Sequence, residues 1–139
     1  MSGKVYGFPR QSRAKADGFN RLYHGIVDTA AWLHIARSGA IGLLTYIWRR
    51  YNGRNNGRIT FSQREAERIF RCSPKRAIRW FSELQEAGFI VAVRRGAFSQ
   101  KTGVFAARAT TWRLTMEPYD GNAPTRDYLH FKPDGAPNV

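Results

Sequence analysis

Lys75, Arg76 and Arg79 stand close together, directly after a Ser73-Pro74 pair. The chemistry available to such a group is recognition of anions and base edges. A guanidinium fork matches a phosphate or the O6/N7 edge of guanine, and an ammonium supplies a point charge. Ser62, Gln63 and Arg64 form a second polar cluster upstream. A third set, Arg94, Arg95, Ser99, Gln100, Lys101 and Arg108, lies in the glycine-containing run RRGAFSQKTGVFAARA. Bond-making constellations are harder to find. His24, His34 and His130 are scattered, with no carboxylate or cysteine at metal-ligand spacing, so no metal, cofactor or catalytic residue is expected. Cys72 follows Phe70 closely, where a small buried thiol is the usual case, and no base stands near it in sequence. Glu65 and Glu67 fall on different faces of a helix and make no acid/base pair. The expectation is therefore binding without catalysis.

RRYNGRNNGRIT, from Arg49 to Thr60, holds four arginines and two Asn-Gly pairs. A phosphate-binding P-loop needs Gly-x-x-x-x-Gly-Lys-Ser/Thr between a strand and a helix. The lysine is missing here and the run follows a helix, so that reading fails. Asn-Gly pairs tolerate positive φ. The stretch reads as a compact turn leading into a short strand, with Arg54 and Arg58 as additional candidate phosphate contacts.

The elements that must position these groups can be read from capping signals and apolar period. Residues 1–22 read as a basic flexible arm, in which Tyr6, Phe8 and Phe19 are too sparse to build an element. Asp28 is the expected N-cap of a short helix, Thr29 to Ala36, carrying Trp32, Leu33 and Ile35. Ser38 is the expected cap of a helix reaching Tyr51, with Ile41, Leu44, Ile47 and Trp48 at helical spacing. Asn52-Gly53 should stop it. Arg58 to Thr60 reads as a strand able to pair with later ones. Ser62 with Glu65 three residues on is a capping box for a helix to Phe70. Ser73 caps and Pro74 opens the next helix, to Ala87, with Ala77, Phe81 and Leu84 as its core stripe and Trp80 beside it. Gly88 ends that helix. Strands follow at Phe89 to Val93 and Thr110 to Thr115, with Phe98 and Phe105 in the tip between them.

Charge concentrates where these elements lie. The chain has 139 residues, 23 basic against 10 acidic, for a net charge of +13. Residues 49–113 carry fifteen cations and four acids, whereas residues 114–139 are net −2. Arginine predominates, which suits nucleic acid better than mere solubility. The single cysteine excludes an internal disulfide and fits a reducing cytoplasm. MSGKVYGFPRQSRAK lacks the apolar core of a signal peptide, and no run is long and apolar enough to span a membrane. An aromatic content of 14% speaks against a wholly disordered chain.

Helix, short turn, capped helix and two-stranded hairpin, in that order, make a helix-turn-helix with a wing. Over about residues 38–115 the chain resembles winged helix-turn-helix DNA-binding domains. The run ITFSQREAERIFRCSPKRAIRWFSELQEAGFI is similar to the bacterial and phage type found in transcription regulators and replication-initiator domains. YNGRNNGRI is similar to an uncharacterised bacterial branch of that group. The expected fold is therefore α+β, mainly helical, a winged helix over residues 23–116. Residues 117–139 form a tail in which Tyr128, Leu129 and Phe131 pack back on the domain or meet a protein partner.

In such a geometry helix 73–87 enters the major groove. Arg76 and Arg79 are expected at base edges or close phosphates, and Ser73 and Lys75 beside them. Gln63 and Arg64 are expected on the backbone, and the wing 94–108 on the backbone or minor groove. The expected function is a double-stranded DNA-binding transcription regulator, repressor-like, of phage or mobile-element type, acting in the cytoplasm at the nucleoid. Two alternatives stay open: a replication-initiator DNA-binding domain, and an interaction or inhibitor module whose basic face engages an acidic protein or an RNA-containing complex. A homodimer is expected to draw on Trp32, Leu33 and the tail.

Overall fold

The architecture was described from a computed structural model, which describes residues 17–94, 98–99, 104–105 and 110–133, with backbone alone at 98, 99, 104 and 105. It is an α+β arrangement of five α-helices and a small antiparallel sheet. The helices are α1 (His24–Val27), α2 (Ala30–Ser38), α3 (Ala40–Arg49), α4 (Gln63–Phe70) and α5 (Pro74–Glu86). Among them run β1 (Ile59–Thr60), β2 (Ile90–Arg94), β3 (Phe98–Ser99), β4 (Val104–Phe105) and β5 (Thr111–Leu114), and a short 3-10 turn covers Asp127–His130.

The first two helix starts depart from the sequence expectation. Thr29, not Asp28, caps α2: its Oγ1 accepts from the Trp32 N–H at 3.1 Å, while Asp28 closes the preceding turn of helix. A hydroxyl at the extended position immediately before the helix reaches the orphan N–H, and Asp28 lies one residue too early. Ser38 is the last residue of α2, and the N-cap of α3 is Gly39 at φ 93°. The Ser38 hydroxyl nevertheless accepts from the Ala40 N–H at 3.2 Å and donates to the Ile35 carbonyl at 3.2 Å, so it fastens the corner between the helices. α3 also ends at Arg49, ahead of Asn52-Gly53, and buries Leu43 together with Leu44, Ile47 and Trp48.

From Ser62 to Ala87 residue type and structure agree closely. Ser62 and Glu65 make the reciprocal capping box of α4, with bonds of 3.1 and 3.0 Å. Ser73 accepts from the Arg76 N–H at 3.1 Å, Pro74 takes the first turn of α5, and Ala77, Phe81 and Leu84 are buried. The turn between the two helices puts Arg71 at φ 51°, a left-handed conformation that a non-glycine residue adopts at some cost.

The sheet order is β1-β5-β2. β1 pairs with β5 through Ile59 opposite Trp112, as the sequence anticipates for a strand able to pair with later ones. β2 pairs with β5 from Ile90 opposite Leu114 to Ala92 opposite Trp112, and the register breaks between Ala92 and Arg94. β3 and β4 pair separately, Phe98 opposite Phe105.

Aromatic contacts lock α5 to the rest. Phe81 stacks on Trp112 at 5.3 Å between ring centroids, and Trp112 donates to the Phe61 carbonyl at 3.0 Å. Trp80 packs over Gly39, donates to the Ser38 carbonyl at 3.3 Å and meets Phe70 edge-on. A core that grips one face of α5 from both the sheet and the α2–α3 corner fixes which face is left outward.

The segment after β5 folds back on the domain. Tyr128 is buried and stacks on Phe89 at 5.1 Å, and Phe131 meets His34 at 4.9 Å. The Asp127 and Tyr128 backbone lies against Gly88, leaving no room for a side chain there. Leu129 alone of the three apolar tail residues is exposed. Trp32 likewise turns an edge to Phe89, leaving Leu33 outside.

Candidate nucleic-acid interface

With Ala77, Phe81 and Leu84 facing inward, a helix of 3.6 residues per turn must turn Lys75, Arg79, Ser82 and Glu86 outward, with Arg76 on one flank and Ile78 on the other. The exposures agree: Ser73, Pro74, Lys75, Arg76, Ile78 and Arg79 are all exposed, and Ala77 is the one buried residue of that opening stretch. No acid occurs in the first turn of α5. Glu86 shares the outward stripe two turns later, and accepts from the Ser82 hydroxyl at 3.2 Å. The amino-terminal end of α5 thus combines the positive end of the helix dipole with three exposed cationic side chains that have no acidic partner among the described residues.

The start of α4 is organised differently. Arg64 is exposed. Gln63 is half-buried and donates one amide N–H to Glu67 at 2.7 Å. Arg50, from the end of α3, donates to Glu65 at 2.8 Å and to the Thr60 carbonyl at 2.6 Å. Its guanidinium also lies 4.2 Å from the centroid of the Phe61 ring. The Arg50 hydrogen bond and the Ser62 N–H hold the Glu65 carboxyl below the usual carboxylate range, partly offset by burial. Sequence spacing gave no signal for this pair, because the partners stand fifteen residues apart in different helices.

Three asparagines build the turn over Asn52–Gly57. Asn52 Oδ1 accepts from the Arg54 and Asn55 N–H groups at 2.8 and 3.1 Å. Asn55 Oδ1 in turn accepts from the Asn52 N–H at 2.9 Å, and its amide donates to the Arg50 carbonyl at 2.9 Å. Asn56 is buried, accepts from the Leu114 N–H at 2.7 Å and donates to the Leu114, Glu117 and Pro118 carbonyls. Gly57, at φ 89°, lies under the Tyr119 ring, where any side chain would collide. Arg54 and Arg58 are exposed, but Arg58 folds back and donates to the Arg54 carbonyl at 3.1 Å. Asn56 was hidden in the sequence because an Asn-Gly pair signals a turn and says nothing about what the asparagine fastens.

Of the wing candidates, Arg94 is exposed at the end of β2, and the Ser99 backbone pairs with Val104. Arg95, Gln100, Lys101 and Arg108 lie outside the described residues, as do Tyr6 and Phe8 of the arm. Within the described part of the arm, Phe19 is exposed, and with Arg21, and with Tyr23, Arg49, Tyr51 and Glu117 of the domain, it lines an open groove. Cys72 is half-buried against the core rather than fully enclosed.

Among the described residues, no helix is long and apolar enough to cross a membrane. No protein-family model, curated protein or solved structure matches the chain.

Proposed function

We propose that this chain is a double-stranded DNA-binding protein of the winged-helix class, acting by occupancy as a transcription regulator. In this reading α5 lies in the major groove with Arg76 and Arg79 at base edges or close phosphates and Lys75 on a phosphate. The Arg64 end of α4 lies across the backbone, and the run from Arg94 to Arg108 serves as the wing. The observation that carries the reading is the asymmetry of α5: one face gripped by the core, the other presenting Lys75, Arg76 and Arg79 exposed and unopposed in its first turns. The net charge of +13 supplies the long-range attraction. A homodimer belongs to the same reading, with exposed Leu33 and Leu129 as its apolar material. A monomer mass by light scattering at micromolar concentration would remove the dimer and leave the rest.

Fluorescence anisotropy with random duplex DNA and with single-stranded RNA of equal length tests the reading. A chain that neutralises six or more phosphates should lose roughly a thousandfold in affinity between about 50 and 200 mM salt. Duplex binding weaker than about 10⁻⁴ M at low salt lies outside ordinary nonspecific binding and ends the DNA reading. The basic face would then be tested against an acidic protein.

A further inference from the structure

We infer that Ile78 reads the methyl group of a thymine, so that α5 selects an A·T pair at one position of its target. The inference rests on the DNA reading above and adds a base to it.

Ile78 is 53% exposed on α5, on the flank of the outward face opposite Arg76. It follows Lys75 by three residues, directly precedes Arg79, and is the only large apolar side chain exposed on this helix. Isolated exposed apolar residues are ordinary on protein surfaces. This one stands at the cationic end, where the three charges that would hold the helix against phosphates bring its neighbours to the groove floor. It contributes little to the free protein: a β-branched residue is a poorer helix former than alanine, lysine or arginine, and half its surface stays in water. The groove offers one apolar group for such a side chain, the C5-methyl of thymine. Cations and amides distinguish bases by hydrogen bonds and cannot use that methyl, so Ile78 supplies a discrimination that Arg76 and Arg79 lack.

The test begins with a duplex recovered from a random pool by selection on the wild-type chain. That duplex is resynthesised with deoxyuridine replacing thymidine one position at a time, which removes the methyl and keeps charge and pairing. One substitution should weaken wild-type binding about fourfold, the value of one methyl removed from water. Ile78→Ala should bind the thymine duplex at that reduced level and show no thymine preference, while Ile78→Val should keep a smaller one. Thermal unfolding of both variants checks that the fold is intact. Equal thymine preference in wild type and Ile78→Ala, or none in wild type, sinks the assignment alone. Failure to capture any duplex at low salt sinks the DNA reading and the assignment with it.

Discussion

Two arginine-bearing stretches of this chain look alike in composition and differ in what their side chains touch. In Arg49–Thr60 two of the four arginines are committed, Arg50 to Glu65, Thr60 and Phe61 and Arg58 to the Arg54 carbonyl, and three asparagines hold backbone groups, while Arg49 and Arg54 are exposed. In Ser73–Arg79 the caps are satisfied but Lys75, Arg76 and Arg79 are exposed, with no acid in the turn they share. The number of cations alone, four against three, would rank the first stretch as the better ligand site. Partner accounting reverses that ranking for Arg50 and Arg58, because a guanidinium held against groups of its own protein is less available to an external anion. The first stretch spends two of its four arginines on holding the domain together, whereas the three cations of the second make no such contact among the described residues.

The sharpest way to break this comparison is to remove the free cations. Arg76→Ala with Arg79→Ala should cost about 2–6 kcal/mol of duplex affinity if both reach base edges, at about 1–3 kcal/mol each. Were both on phosphates instead, the slope of log affinity against log salt should flatten by about two. Either result should come with an unchanged unfolding midpoint, because both side chains are exposed and neither contributes to the core. Affinity and slope both unchanged would remove α5 from the interface.

Asn56→Ala attacks the other stretch. It should lower stability by about 3 kcal/mol or more, since it strands the Leu114 N–H and leaves the Leu114, Glu117 and Pro118 carbonyls short of a donor. Denaturant unfolding measures the loss, and the folded fraction should keep its duplex affinity. A loss of unfolding free energy below about 0.5 kcal/mol would mean that water replaces the amide without penalty.

The same division explains what was legible in the sequence. The capping box at Ser62, the Ser73-Pro74 start and the Ala77, Phe81, Leu84 stripe are local signals, set within three or four residues, and the structure reproduces them. The exposed cations of α5 followed from that stripe, because fixing one face of a helix fixes the other. Ile78 was equally derivable, lying one residue off the stripe. The Arg50–Glu65 pair, the anchoring by Asn56 and the stacking of Tyr128 on Phe89 are contacts between distant segments. No period or spacing encodes them. Misplaced helix starts at Asp28 and Ser38 arose where two competing caps stand within a residue of each other, and only backbone geometry decides between them.

Glu65 links fold and surface, and pH exposes it. Its carboxyl is held below the usual range by Arg50 and the Ser62 N–H, so the folded state binds its proton less readily than the unfolded chain. The stability this contributes is present above the ordinary carboxylate value of about 4.3 and drains away as pH falls through the lower folded value. Glu65→Gln should therefore cost about 1 kcal/mol at neutral pH, from an ion pair about a third exposed and a weakened capping box, and should flatten the acid limb of stability against pH. A variant with an acid limb as steep as wild type would assign that limb to other carboxylates.

The smallest effect is the most discriminating between the two stretches. Arg58 is exposed and charged like Arg79, but its guanidinium donates to the Arg54 carbonyl of its own turn. If commitment inside the protein is what separates these regions, Arg58→Ala should cost no more than about 0.5 kcal/mol of stability and leave the salt slope of duplex binding where it was. Arg79→Ala, measured beside it, should flatten that slope by about one if Arg79 meets a phosphate, or relax base preference if it meets a base. A slope that flattens by about one for Arg58→Ala as well would place the asparagine-rich turn on the duplex. The hydrogen bond to Arg54 would then be a resting arrangement of the free protein, exchanged for a phosphate on binding.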